Sequence, residues 1–245
     1  MKESGINTCV AHFQHLIEVV ASFGVRYAPK EECLTVPELL KLLESARRRI
    51  ESANSLLPDY LSAVLSRKEA FADLPLRAKR VGSIAGVCDI NPPTQSQIRE
   101  VVRELQAFRP KGYRGAMACQ LSYGEQTERF NRLIELVEAQ PYYNPAESDL
   151  SPSKLKVFSK VLSALNEHVS ALEPPLLEAR RRRDEMLYGA AGLTERAQAV
   201  KEYVKVTFGE SSQRYRKVKR IKLANREVPP SGGSTVSLPS GGLHG

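Results

Sequence analysis

Phe13-Gln14-His15-Leu16-Ile17-Glu18 returns later in the chain as Phe130-Asn131-Arg132-Leu133-Ile134-Glu135, and Val20 is answered by Val137. One residue then drops from the register, and Tyr27, Pro29, Glu31, Leu34 and Leu39 fall on Tyr143, Pro145, Glu147, Leu150 and Leu155. The same offset carries Pro58, Leu61, Ala63, Arg67 and Glu69 onto Pro174, Leu177, Ala179, Arg183 and Glu185. After a small insertion at Gly189 to Gly192, Arg77, Ala78 and Val81 match Arg196, Ala197 and Val200. A register kept over so long a span with two small slips is the mark of a duplicated unit.

Within each copy the apolar residues recur at intervals of three and four, the period of an amphipathic helix. Val10, Phe13, Leu16, Ile17, Val20 and Phe23 form such a stripe, with Gly24 as its stop. Thr35-Val36-Pro37-Glu38 reads as a capping box with proline in the first turn, and Ser151-Pro152 opens the second copy in the same way. From there one stripe runs through Leu39, Leu42, Ala46, Ile50, Ala53, Leu57, Tyr60, Val64 and Phe71. Its partner runs through Leu155, Phe158, Leu162, Leu165, Val169, Leu172, Leu176, Ala179 and Met186.

Neither stripe loses phase at Pro58 or at Pro174-Pro175. An interior proline costs a helix about 3 kcal/mol, but a turn would reset the phase. The pattern therefore predicts one long, proline-kinked helix per copy, over 36–72 and 152–188, with a helical hairpin at the prolines as the rival. At 1.5 Å per residue such a helix spans roughly 55 Å. Shorter helices are predicted over 75–88 and 193–208, the latter closed by Gly209. Between the copies Pro92-Pro93 breaks the chain, Thr94-x-x-Gln97 reads as a cap, and Ile98, Val101, Val102, Leu105 and Phe108 form a face. Residues 110–115 read as a linker, and Ser122-x-x-Glu125 marks the start of the second copy's first helix. No stretch alternates with period two, so the class is all-α: two tandem copies of a helical-bundle unit.

The formal net charge is +8, and its location matters more than its size. Residues 1–110 carry 15 basic and 13 acidic side chains and residues 111–208 carry 14 and 13, whereas residues 209–245 carry 7 and 2. The helical body is close to neutral, and any polyanion partner must be sought in the C-terminal segment. No apolar run approaches the roughly 20 residues of a membrane span. Nothing near Met1 resembles a signal peptide, and a cytoplasmic location is the expectation. Cys9, Cys33, Cys88 and Cys119 lie far apart and read as reduced thiols; a Cys88–Cys119 pair would need the fold to join them.

Ala199-Val200-Lys201-Glu202-Tyr203-Val204-Lys205-Val206-Thr207-Phe208-Gly209, followed by Ser211 or Ser212, Tyr215 and Val218 to Lys222, carries a local motif, V-K-x-Y-V-K-x-x-F-G and then S-x-x-Y. With Ala179-Arg180, Arg183 and Leu187-Tyr188 upstream, it resembles the C-terminal half of bacterial all-helical proteins that have no assigned activity. The resemblance covers about 130–223 and more weakly the first copy, which ends instead in Val87-Cys88-Asp89. It implies an all-helical fold and no catalytic residues.

Candidate sites are few. Cys9, His12 and His15 share a helix, but a transition-metal site wants a fourth ligand, and the aligned Gln126, Arg129 and Arg132 repeat none of them. They read as packed or surface polar residues, and no metal is expected. Arg47 to Arg49 and Arg180 to Arg183 fan out around their helices at 100° per residue, with Glu44, Glu51, Asp184 and Glu185 within pairing distance. No phosphate loop, dinucleotide fingerprint or catalytic constellation occurs, and no cofactor is expected.

Arg214, Arg216, Lys217, Lys219, Arg220, Lys222 and Arg226 form the one concentrated basic stretch, interleaved with Tyr215, Val218, Ile221 and Leu223. It reads either as an arm for nucleic acid or another polyanion, or as a segment docked on the bundle with its cations held to solvent.

The organisation expected is a first helical unit over 6–90, a connecting helix and linker over 91–115, and a second unit over 116–209. A basic segment over 210–228 and a disordered tail over 229–245 follow. The function expected is that of a non-catalytic scaffold or interaction protein, binding a protein partner or a second copy and no membrane. A polyanion-binding module and an enzyme with unrecognised residues are the alternatives.

Overall fold

The computed structural model describes residues 3–106 and 121–223. The expected linker at 110–115, Phe108, Cys119, Arg226 and the tail from 229 lie outside the described residues. The described chain is helical, with no strand: α1 (Glu3–Ala21), α2 (Val36–Ala72), α3 (Leu74–Val87), α4 (Pro92–Gln106), α5 (Tyr123–Glu138), α6 (Pro152–Tyr188), α7 (Leu193–Phe208) and α8 (Gln213–Lys219). Short 3₁₀ turns at Glu32–Leu34 and Ser148–Leu150 precede the two long helices. No helix among the described residues is long and apolar enough to cross a membrane.

Helices α2 and α6 are both 37 residues long and run unbroken through Pro58 and through Pro174-Pro175. Each proline removes a backbone donor and leaves the carbonyl four residues earlier unbonded. Those carbonyls belong to Asn54, Ser170 and Ala171, all exposed residues, so solvent satisfies them and the helix survives. Along α6 the buried residues Leu155, Leu162, Val169 and Leu176 recur every seven positions, a narrow seam of the coiled-coil kind.

Three helix starts differ in detail from the sequence reading. Thr35 forms no capping box: its hydroxyl donates to the Glu32 carbonyl at 2.8 Å while Glu38 pairs with Lys41 at 2.6 Å. Ser151 likewise donates to Ser148, so both hydroxyls close the preceding 3₁₀ turn. At α4 the cap is Asn91, whose Oδ1 accepts from the Thr94 amide at 2.9 Å, and not Thr94. Pro92 and Pro93 explain the shift, since proline is pre-set for the first helical turn and needs no partner for an amide it lacks. At α5 the expected box is present, with Ser122 and Glu125 bonding reciprocally.

Packing divides the chain into two compact units, one drawn from Met1–Ile50 and Arg181–Gly245, the other from Glu51–Arg180. The core of the first joins Phe13, Leu16, Ile17 and Val20 of α1 and Leu39, Leu43 and Ala46 of α2 to Leu187, to Leu193, Ala197, Val200 and Val204 of α7, and to Val218 and Ile221. The core of the second joins Phe71, then Leu74, Ala78, Val81 and Ala85 of α3 and Ile98, Val101, Val102 and Leu105 of α4, to Phe130, Leu133, Ile134 and Val137 of α5 and Leu155 and Leu162 of α6. These boundaries cut across the expected units at 6–90 and 116–209. The first core joins α1 to α7 and the second joins α3 to α5, so each combines helices from both of the matched stretches.

Matched positions behave alike. Phe13 and Phe130 are fully buried, as are Leu16 and Leu133, Val20 and Val137, and Leu39 and Leu155. The Tyr27 hydroxyl donates to the Leu34 carbonyl at 2.7 Å, and the Tyr143 hydroxyl to the Leu150 carbonyl at 3.1 Å. In both cases a buried phenol finds an acceptor in the turn that follows it.

Candidate functional site

The basic stretch begins where α7 ends. Gly209 has φ +87° and ψ 150°, a conformation open essentially to glycine alone, and its amide still bonds the Lys205 carbonyl at 2.9 Å. The chain thereby leaves α7 and starts α8, whose first turn is capped by Ser212 accepting from the Tyr215 amide at 3.1 Å.

Val218 and Ile221 are buried in the first unit's core, each such burial contributing about 1.5–3 kcal/mol. Two polar anchors act on the backbone just after the helix. Nδ1 of His12 on α1 meets the Lys222 carbonyl, and the ammonium of Lys201 on α7 donates to the Ile221 carbonyl. Burial pushes the Lys201 pKa below the usual lysine value, the signature of an ammonium held partly out of water for a structural bond. Arg214 is half-buried, its guanidinium 4.8 Å from the ring centre of Phe208 and 5.8 Å from that of Phe23.

The segment is therefore docked, and its other cations point outward. Arg216, Lys217, Lys219, Arg220 and Lys222 are all exposed. Among the described residues none of them has an ion-pair partner; the Lys219 ammonium lies 5.7 Å from the Tyr215 ring centre. No acidic residue occurs between Glu210 and Glu227. Of the seven residues singled out from the sequence, five thus share one exposed surface, Arg214 serves as a stacked anchor, and Arg226 lies outside the described residues. Nothing in the sequence marks His12 and Lys201 as anchors, because their bonds go to main-chain carbonyls.

The other candidates disperse. Cys9 is fully buried and its thiol is pushed up to about 11 by that burial, while His15 faces Glu18 at 3.6 Å and His12 faces Lys222. Among the described residues no three His, Cys, Asp or Glu side chains are grouped to hold a metal ion. Arg47 donates to Gln14 at 2.6 Å, Arg183 pairs with Asp184 at 2.8 Å and Arg181 with Glu185 at 3.4 Å.

The second unit has its own ionic cluster. Arg80 bonds the Asp149 carboxylate at 2.7 Å and Arg77 lies 3.7 Å from it, holding that carboxyl below its ordinary range through the Arg80 hydrogen bond first and the charge of both arginines after it. Arg77 also stacks 4.4 Å over Phe158, and Arg67 sits 4.3 Å over Tyr123 while donating to Asn166 at 3.0 Å. Asp149 and its two arginines neutralise and fix one another, and Arg67 is held by a ring and a neutral amide, which suits structural ties rather than proton transfer.

Comparison with known proteins finds no matching family model, no matching curated protein and no matching solved structure.

Proposed function

We propose that the chain is a non-catalytic scaffold: a duplicated helical unit whose copies have exchanged their last helices, and whose long helices present apolar surface to a second copy of the same chain. The duplication is supported by the paired tyrosine-to-carbonyl bonds, by the equal burial of matched core residues, and by Pro58 and Pro174, each the twenty-third residue of its helix.

The observation that carries the interaction reading is a set of exposed aliphatic side chains on α2 and α6. Leu61 and Leu65 are 49% and 56% exposed, and Val157 and Val161 are 57% and 46% exposed. Single exposed leucines are ordinary on a protein surface. Two pairs at four-residue spacing, on the two longest helices, are instead continuous apolar ridges of the kind one helix offers another. The groups that burial perturbs most, Cys9, Tyr27 and Tyr143, are held in their neutral forms, which suits packing better than chemistry.

Sedimentation equilibrium over about 1–100 µM protein tests the reading, with the double variant Leu61→Glu, Leu65→Glu as comparison. The expected result is reversible association of the wild type and a monomeric variant. A wild type that stays monomeric throughout, or a variant that associates equally well, sinks the interaction reading. A small molecule retained stoichiometrically through purification, detected by native mass spectrometry, sinks the non-catalytic one.

A further inference from the structure

We propose that the surface of α8 and the turn after it binds the phosphodiester backbone of nucleic acid without reading its sequence. At 100° per residue, Arg216 and Arg220 fall on the side of the helix opposite buried Val218, and Lys217 and Lys219 flank them. Lys222, exposed in the turn, adds a fifth cation. Five exposed cations within seven residues, without a carboxylate partner among the described residues, repel one another. Their attraction to the small negative end of the helix dipole is weak and falls off beyond the last turn. A structural role in the helix accounts for one or two of them and leaves the others unexplained.

What distinguishes this patch from a solvated charge run is that its backbone is fixed. Val218 and Ile221 are in the core, and His12 and Lys201 hold the carbonyls of Lys222 and Ile221. A partner therefore meets cations presented at set spacing, with little backbone ordering left to be done on binding.

The same docking argues against other polyanions. An amphipathic helix that enters a lipid surface needs its apolar face free, and here that face is occupied by the protein's own core. A protein interface wants a desolvated apolar or aromatic centre, and the exposed residues of α8 are Gln213 and three cations, with a fourth, Arg220, at its C-cap. A regular line of phosphates asks for none of these things, only for cations and backbone-level fit.

The test is fluorescence anisotropy of the full-length chain with 30-nucleotide DNA and RNA, single-stranded and duplex, at 50 and 200 mM salt. The variant Arg216→Ala, Lys217→Ala, Lys219→Ala, Arg220→Ala is compared with a charge-matched control, Arg48→Ala, Arg49→Ala, Lys154→Ala, Lys160→Ala, whose positions are also exposed. Circular dichroism and thermal melts establish that both remain folded. About four neutralised phosphates predict a loss of roughly 100-fold in wild-type affinity for duplex between the two salts. The α8 variant is expected to bind at least about 10-fold more weakly than wild type and the control within about 2-fold of it.

Absence of binding at about 100 µM protein in 50 mM salt overturns the proposal. So does an equal loss in both variants, which would reduce the effect to net charge. Sedimentation with vesicles containing phosphatidylserine, if it captures the chain while the oligonucleotides do not, reassigns the patch to a lipid surface and overturns it as well.

Discussion

Tyr27 and Tyr143 hold their hydroxyls on the Leu34 and Leu150 carbonyls at the foot of the two long helices. Replacing either by phenylalanine removes one bond and strands one buried carbonyl, so Y27F and Y143F are each expected to cost about 1–2 kcal/mol in urea unfolding at neutral pH. The alkaline side gives a sharper signature. Burial pushes Tyr143 up to about 12, helped by the charges of Cys88, Glu147 and Asp149, and it raises Tyr27 too. A folded-state pKa above the unfolded one means that the contribution is whole below about pH 10 and is lost as pH climbs through the folded value. Stability of the wild type should therefore fall between pH 10 and 12, and Y143F should fall less steeply by up to about 2–3 kcal/mol. Parallel slopes for the two proteins in that window would refute the assignment. These bonds were not legible in the sequence, although the matching of Tyr27 with Tyr143 and of Leu34 with Leu150 was. A repeated residue signals a repeated role without saying what the role is.

Among the elements, α8 has Val218 as its one fully buried side chain. Val218→Asp puts a carboxylate into a fully buried site and is expected to release the segment, exposing the backbone at Arg216 to Arg220. Limited trypsin digestion followed by mass spectrometry reads this directly: slow cleavage there in the wild type, rapid cleavage in the variant, with the rest of the chain resistant. The long helices answer a different substitution. Pro58→Ala in α2 restores a donor at an exposed position and should stabilise by about 1–2 kcal/mol, the helix penalty of proline less the stiffness it gives the unfolded chain. A shift of the urea midpoint to lower concentration would contradict that. Continuity through the prolines was readable beforehand, because stripes at Leu39 to Phe71 and Leu155 to Met186 keep phase where a turn would break it. Thr94-x-x-Gln97 has the spacing of a cap, but the chain is already helical there: Asn91, just before two prolines pre-set for the first turn, is the cap.

For the whole molecule, periodicity told which face of each helix is buried and nothing about what covers it. Residues 13–46 are completed by 187–221, and residues 71–105 by 130–162. Such pairings are set by shape and by chain reversal at long range, and a stripe of leucines fits many partners equally well. The arrangement makes a prediction that tandem, independently folded copies would not. Residues 1–106 and residues 121–245, produced separately, should each lack a complete core and show little cooperative melting. Mixed in equal amounts, they should form a one-to-one complex with the helicity and sharp transition of the intact chain, measured by circular dichroism and sedimentation velocity. Two fragments that melt cooperatively on their own and ignore one another would exclude the exchange of last helices.

The separation of those core partners along the chain also has a meaning during translation. With residues 1–50 made, the remaining contributors to that core end at Ile221, and synthesis at roughly 5–20 residues per second takes on the order of ten to thirty seconds to reach it. For that interval Phe13, Leu16, Ile17 and Val20 have only the first turns of α2 to pack on and lack the cover that α7 and the segment to Ile221 supply. A nascent chain of this design is expected to gain from whatever shields apolar helices at the ribosome, and its yield in cells should track that protection more closely than its final stability.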